Sequence, residues 1–243
     1  EQSVDDMFAW LESLHPDFRR NEPATWTTAN MPFALHGIIK QYGIGHADWV
    51  WDIRTKHNVQ AVFRNLYAKE VMAAVNRENA QATKKAIQRA LVTSFDGACI
   101  VPPTKQNQRG GGRAWFHLDQ SPHTSTKREC VQGFVTLRDM EAQDTTLHLL
   151  RGSHNAFADF AQQHTPDNGR WPAKDWIKLT SAQHAWYKAQ GCEEVRVAAH
   201  AGSLVLWDSR VVHCTTASTR SQEENLRDNK WRAVVYVCMM PRS

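Results

Sequence analysis

A chain of 243 residues with 42% hydrophobic and 22% charged residues is long enough for one substantial core and too evenly mixed for a disordered or fibrous class. Its net charge of +4 and pI near 8.9 are modest, and the charge is not gathered in one block, so a nucleic-acid partner is possible but not favoured. No apolar run is long enough to span a bilayer, and EQSVDDMFAW lacks the basic and apolar regions of a signal peptide, which points to an intracellular, cytoplasmic setting.

Taken in chain order, residues 1–90 read as mostly helical support. Val4, Met7, Phe8, Leu11 and Leu14 recur at helical spacing up to His15-Pro16, and a second set runs through Val62, Phe63, Leu66, Val71, Met72 and Val75. Between them, Gly43 and Gly45 with Trp49 and Trp51 predict an irregular connection packed by aromatics. NRENAQATKKAIQRA at 76–90 reads as a helix with a basic face, and the glycines of KQNQRGGGR at 105–113 mark a basic loop. From residue 91 the pattern turns to about eight short strands: LVTSFDGACIV, AWFHLDQ, CVQGFVTL, TTLHLL, EEVRVAA, SLVLW, VVHCTT and RAVVYVCMM. A Trp-, Gln- and His-rich insertion at 155–190, with a helical tail through Trp176, Leu179 and Trp186, interrupts them. Five cysteines, at 99, 130, 192, 214 and 238, form no CxxC and are odd in number, which argues against a disulfide framework and a thiolate zinc site.

The chemistry lies in RAWFHLDQSP at 113–122. If this run is a strand, His117 and Asp119 project from one face, and an imidazole and a carboxylate converge on one point. With 12 histidines and 25 acidic residues, one such tripeptide arises by chance, so the pair alone is a fragment. GSLVLWDSRVVHCTT at 202–216 adds His213 on a second strand beyond the polar corner Asp208-Ser209-Arg210. Two histidines and one carboxylate with open positions opposite suit a non-haem Fe(II) oxygenase. Cys214 faces the other side of its strand and reads as packing. In DNKWRAVVYVCMMP, Arg232 opens an apolar strand where a guanidinium calls for an anionic partner. A planar fork suits the distal carboxylate of 2-oxoglutarate, with Lys230 and Arg220 as competitors for that role.

HLD at 117–119, LLRGSH at 149–154, GSLVLWDSRVVH at 202–213 and WRAVVYVC at 231–238 resemble the phytanoyl-CoA dioxygenase-like branch of the Fe(II)/2-oxoglutarate oxygenases, from about residue 90 onward. The resemblance implies a mainly β fold with a helical N-terminal part (α+β). Its core would be a double-stranded β-helix (jelly roll, cupin-like) flanked by helices, and 1–243 would be a single catalytic domain. It assigns His117, Asp119 and His213 to iron and Arg232 to 2-oxoglutarate, with O2 as the third reactant. It also places the face of Gln132, Phe134 and Thr136 at the 2-oxoglutarate pocket, with Thr215 pointing the same way as His213. Arg151 stands where the family usually has Pro before its Gly-Ser-His, a departure expected to affect the loop near the entrance. His154 is expected to close a turn rather than bind metal, and His148 is no better a ligand. Trp115 and Trp207 read as core.

The implied reaction is hydroxylation or oxidative demethylation of a C–H bond of a small organic substrate, with succinate and CO2 released. Halogenating relatives lack the carboxylate, so Asp119 disfavours halogenation. Two other classes stay in view: a nucleic-acid or nucleobase oxygenase, motivated by the 105–113 loop, and a non-catalytic metal-binding jelly-roll module. The sequence carries no signal for oligomeric state.

Overall fold

The computed structural model describes residues 1–35, 37–77, 90–105 and 115–242. Among these, α1 (Gln2–Leu14) follows the predicted spacing and buries Met7, Phe8 and Leu11, and it ends as the chain turns extended at His15 before Pro16. The connection around Gly43 is not wholly irregular. Gly43 has a φ of 66°, Ile44–His46 form a 3-10 turn, and Trp49 and Trp51 lie on α2 (Asp48–Arg54), a helix too short to display a period. The second apolar set is divided into α3 (His57–Leu66) and α4 (Ala68–Arg77). The break at Tyr67 lets its hydroxyl accept the Val131 N–H at 2.9 Å, and it leaves Val62 and Met72 exposed. Most of the basic stretch at 76–90 and of the 105–113 loop lies outside the described residues.

The strands are β1 (Leu91–Thr93), β2 (Ala98–Val101), β3 (His117–Leu118), β4 (Val131–Thr136), β5 (Thr146–Arg151), β6 (Ile177–Lys178), β7 (Glu193–Arg196), β8 (Leu204–Asp208), β9 (His213–Thr216), β10 (Arg232–Tyr236) and β11 (Met239–Pro241). Two of the runs read as single strands are broken, giving β1 with β2 and β10 with β11, and β6 escapes the sequence pattern because it has only two residues. One antiparallel sheet has the order β2-β10-β4-β8, a second β6-β3-β9-β5-β7, and β1 pairs with β11 apart from them.

The two-residue period of the strands decides the layering, since residues opposite one another in register share a face. On the outer face of the four-stranded sheet, Ala98, Ile100, Val135, Ala233 and Val235 join the core built by α1–α4. Its inner face presents Cys99, Val101, Phe134, Trp207 and Val234, which pack with Leu147 of the five-stranded sheet. The outer face of that second sheet carries Leu118, Leu150 and Cys214 against Phe157 and Phe160 of α5 (Phe157–Gln163) and Tyr187 of α6 (Ser181–Ala189). The order is therefore helices, sheet, sheet, helices, a mixed α and β fold in which helix is not confined to the N-terminal part. Cys214 packs outward as expected, and its burial raises the thiol pKa to about 12.

Local capping fixes the helices around the sheets. The helical tail of the insertion starts only at Ser181, because the Thr180 hydroxyl accepts from Gln183 N–H and the Gln183 side chain accepts from Thr180 N–H. Trp176 and Leu179 consequently flank β6 and lie outside the helix. A reciprocal box between Ser221 and Glu224 opens α7 (Gln222–Arg227), which the sequence reading left out.

Candidate metal centre

His117 and His213 stand directly opposite one another where β3 pairs with β9, so both rings leave the same face of the five-stranded sheet. Their centroids are 4.4 Å apart and each residue is 5% exposed. β3 ends at Leu118, and Asp119 lies in the bend that follows, with Oδ1 3.4 Å from His117 Nε2 and Oδ2 3.3 Å from His213 Nε2. Among the described residues these three form the one His/Cys/Asp/Glu group able to hold a metal ion, with ligand atoms all within 4.8 Å of one another.

Backbone hydrogen bonds set the imidazole tautomers. His213 Nδ1 lies 2.9 Å from the Val211 carbonyl and His117 Nδ1 lies 3.4 Å from the Trp115 carbonyl. A carbonyl only accepts, so Nδ1 carries the proton in each ring and Nε2 presents its lone pair to Asp119 and to the other histidine. Burial pushes the His117 pKa down, an effect only partly offset by Asp119. Burial alone would raise Asp119, but the adjacent His117 and His213 outweigh it and hold the carboxyl far below the usual carboxylate range. Two neutral nitrogens and one carboxylate facing a single point form a donor set for a divalent cation.

The motif residues around the triad are scaffolding. Gln120 is buried and donates to the Ser125 and Lys127 carbonyls, while its own carbonyl accepts from the Ser209 hydroxyl at 2.7 Å. This ties the turn after Asp119 to the corner before His213. In the Gly-Ser-His turn, Gly152 takes a φ of 91° and the buried Ser153 hydroxyl accepts the Val212 N–H at 2.9 Å, fixing the entry to β9. His154 lies in this turn and His148 pairs with Glu194 at 3.2 Å; neither lines the metal cavity. Arg151 is not at the entrance: it is exposed and paired with Glu193, its register partner on β7, so replacing the family's proline leaves the cavity untouched.

A cavity of about 600 Å³ holds the triad together with Gln132, Phe134, Thr215 and Arg232. Thr136, expected on the same face, does not line it; its hydroxyl donates to the Arg138 carbonyl instead. Arg232 is 4% exposed. It donates to the Thr145 carbonyl at 3.0 Å, touches Met140 Sδ at 3.1 Å, and lies 5.5 Å from the Phe134 ring centroid. Its Nε has no hydrogen-bond partner, and no carboxylate among the described residues forms an ion pair with it. Burial opposes its charge, but the Cys99 thiol and Tyr236 hydroxyl raise its pKa overall. The two competitors are committed elsewhere, Arg220 to Asp144 and Glu141 and Lys230 to the same two acids, and neither lines this cavity. Gln132 spends its NH2 group on Asp119 Oδ2 at 3.0 Å.

Several lining residues were not assigned to the site by sequence. Trp115 stacks on His117 at 4.6 Å with an interplanar angle of 3°, Trp176 approaches the same ring at 5.7 Å, and Trp207 lies 5.4 Å from His213. Trp115 and Tyr236 carried a readable signal, being two residues from His117 and four from Arg232 on strands of period two. Trp176, Lys40, Asp96 and Lys174 carried none, because irregular segments deliver them. Arg54, fully buried, ties the helical layer to the rim by donating to the Asp96, Gly45 and Tyr236 carbonyls.

The description Phytanoyl-CoA dioxygenase (PhyH) belongs to the family whose pattern matches residues 2–223, and this chain is a member of that family. The match takes in the N-terminal helices, beyond the start at residue 90 that the motifs indicated, and stops before Arg232. The Ava biosynthesis cluster protein O of Aspergillus versicolor is 26% identical over 243 residues, covering 98% of this chain and 69% of that protein. The crystal structure of GlcNAc Inducible Gene 2 (GIG2, DUF1479) from Candida albicans has a TM-score of 0.58 at 15% identity, covering 98% of this chain. This chain spans 59% of that protein's length. EvdO2 from Micromonospora carbonacea var. aurantiaca, complexed with 2-oxoglutarate, has a TM-score of 0.42 at 17% identity, covering 99% of this chain and 82% of that one.

The family implies iron and 2-oxoglutarate, and the residues present fit both. The triad supplies the nitrogen and oxygen donors, while Arg232 is a buried guanidinium with an unpartnered Nε and, among the described residues, no carboxylate of its own. Among the described residues no helix is long and apolar enough to cross a membrane.

Proposed function

We propose that this chain is an Fe(II)/2-oxoglutarate-dependent dioxygenase that hydroxylates, or oxidatively demethylates, a C–H bond of a small organic substrate. The observation that carries this reading is the meeting of His117, Asp119, His213 and Arg232 on one cavity, from strands of two different sheets and the bend after β3. We read the paired sheets as a double-stranded β-helix forming one catalytic domain. His117 and His213 would bind the metal through Nε2, and Asp119 would bind it through a carboxylate oxygen while Gln132 holds Oδ2. Arg232 would hold the distal carboxylate of 2-oxoglutarate against the Phe134 wall, with Thr215 beside His213 lining the same space. Bound Fe(II) with O2 supplies the oxidising chemistry, in which 2-oxoglutarate loses CO2 and becomes succinate.

The chain's own part is positioning and exclusion. The backbone carbonyls of Trp115 and Val211 keep both imidazoles in the metal-facing tautomer, and the rings of Trp115, Trp176 and Trp207 keep water from the reacting face. Asp119 keeps its charge across the working pH range and occupies the position that a halide needs, which disfavours halogenation.

A small-molecule substrate is supported by the relative named for a biosynthesis cluster. Among the described residues the rim carries Lys40 and Lys174 together with Asp96 and Asp175, an even count of charge that forms no basic patch for a polyanion such as nucleic acid. A non-catalytic module would have no use for a buried arginine without a carboxylate. The test is succinate formation from 2-oxoglutarate with added iron across a substrate panel. No succinate, together with no thermal stabilisation by 2-oxoglutarate in the presence of metal, overturns the proposal.

A further inference from the structure

The Gln132 amide has only one possible orientation. Asp119 is an acceptor, so the NH2 group must face it, and the carbonyl Oε1 faces away. Oε1 is buried and has no hydrogen-bond partner among the described residues. Directly across the β4–β8 ladder, in register with Gln132 and on the same sheet face, stands Trp207. Trp207 is 9% exposed, and its indole Nε1 is a second buried polar atom without a partner. Both residues line the metal cavity. One orphan acceptor and one orphan donor thus belong to neighbouring residues of one sheet face, each a buried group whose isolation is costly.

2-Oxoglutarate offers acceptors only at neutral pH, so it can serve Trp207 Nε1 but cannot serve Gln132 Oε1. What serves both is a group that donates and accepts at once, a hydroxyl or a secondary amide. The surrounding wall is aromatic, formed by Trp115, Phe134 and Trp176, and suits a ring. We propose that Gln132 Oε1 and Trp207 Nε1 form a substrate-recognition doublet that selects a cyclic substrate bearing a hydroxyl or secondary amide beside the metal. This rests on the oxygenase reading of the same cavity. Gln132 is thereby also a positioning residue, tying the recognised group to the carboxylate that would bind the metal.

The test uses matched cyclic probes, 2-piperidone against N-methyl-2-piperidone and cyclohexanol against methoxycyclohexane. They are titrated into the full chain, both metal-free and loaded with Fe(II) and 2-oxoglutarate. Methylation removes the donated proton and adds one methyl group, so the unmethylated probe of the preferred pair should bind roughly 5- to 150-fold tighter, and the Gln132→Met comparison separates the lost bond from the added bulk. That pair also separates an amide from a hydroxyl source. In the metal-free protein the Trp207 indole N–H resonance, identified by its loss in Trp207→Phe, should shift with the preferred probe. Gln132→Met should erase the preference for the unmethylated probe. Equal affinity within both pairs, or an indole resonance that no probe moves, overturns the doublet. Trp207→Phe is needed only for the resonance assignment, so the affinity comparison on the unmutated chain stands even if that variant folds poorly. Succinate formation without probe discrimination removes the doublet and leaves the oxygenase reading intact, whereas discrimination without succinate does the reverse.

Discussion

Replacing Arg232 with Met separates a co-substrate anchor from a structural arginine. The guanidinium is 4% exposed, keeps one 3.0 Å bond to the Thr145 carbonyl, and has no carboxylate partner among the described residues. Met retains most of the volume and removes the charge. Losing a buried, charge-assisted hold on a carboxylate costs about 1.5–5 kcal/mol, so 2-oxoglutarate affinity should fall roughly 10- to 5000-fold. Stability should behave oppositely to that of a broken ion pair. The bond to Thr145, worth about 1 kcal/mol, and the weaker contacts with Met140, Cys99 and Tyr236 are lost, but the burial of a charge without a carboxylate partner is relieved, leaving the ligand-free Tm within about 4 °C of the parent. Arg232→Lys keeps the charge without the fork and should fall between the two in affinity. The assay pairs 2-oxoglutarate titration of the metal-loaded protein with thermal melts of the ligand-free protein. Unchanged 2-oxoglutarate affinity in Arg232→Met refutes the anchor, and a collapse of Tm with affinity intact shows the residue to be structural.

Other expectations follow from the same geometry. His117→Ala and His213→Ala should each lower iron retention after dialysis at least about 100-fold, measured as metal per chain, whereas His154→Ala should retain it; the reverse pattern refutes the ligand set. His148 is held below its ordinary value by burial first, with Arg196 and His184 adding to the effect and Glu194 opposing it. Its folded pKa is depressed, so the unfolded chain takes up the proton first. Stability is complete above the unfolded value near 6.5 and declines as pH falls below it. His148→Gln should therefore flatten the fall in Tm between about pH 7.5 and 5.5, and parallel curves for the two proteins would contradict this. A Cβ added at Gly97 would lie 1.6 Å from the Ile39 carbonyl oxygen, a backbone atom that cannot swing aside. Gly97→Ala should lose more than about 3 kcal/mol in denaturant melts, and a loss under about 1 kcal/mol would mean that the Ile39–Ala98 bridge is not rigid.

The chemistry was legible wherever the period of a strand carries it. His213, Thr215, Gln132, Phe134 and Arg232 each sit on a strand whose alternation tells which neighbours share a face, and Cys214 was assigned outward by the same rule. Asp119 reached the site by a different route, a bend after a two-residue strand, and only its distances to the two rings show how it faces both imidazoles. Sequence reading failed where elements are short or irregular: α2 and α7, the strand β6, and the break between α3 and α4 at Tyr67. Windows of two to seven residues hold less than two helical turns and no resolvable period.

What the sequence determined by itself was the set of candidate donor groups, because residue type and spacing fix which chemical groups exist and which face of a strand most of them take. What only the tertiary structure decided was which of them meet. It set Arg232 on the cavity while committing Arg220 and Lys230 to Asp144 and Glu141, and it carried Trp176 and Lys174 to the rim from the 155–190 insertion. It also left Gln132 and Trp207 each with one unanswered hydrogen bond. Hydrogen-bond satisfaction belongs to the packed fold as a whole, since a group's partner is set by every element that buries it.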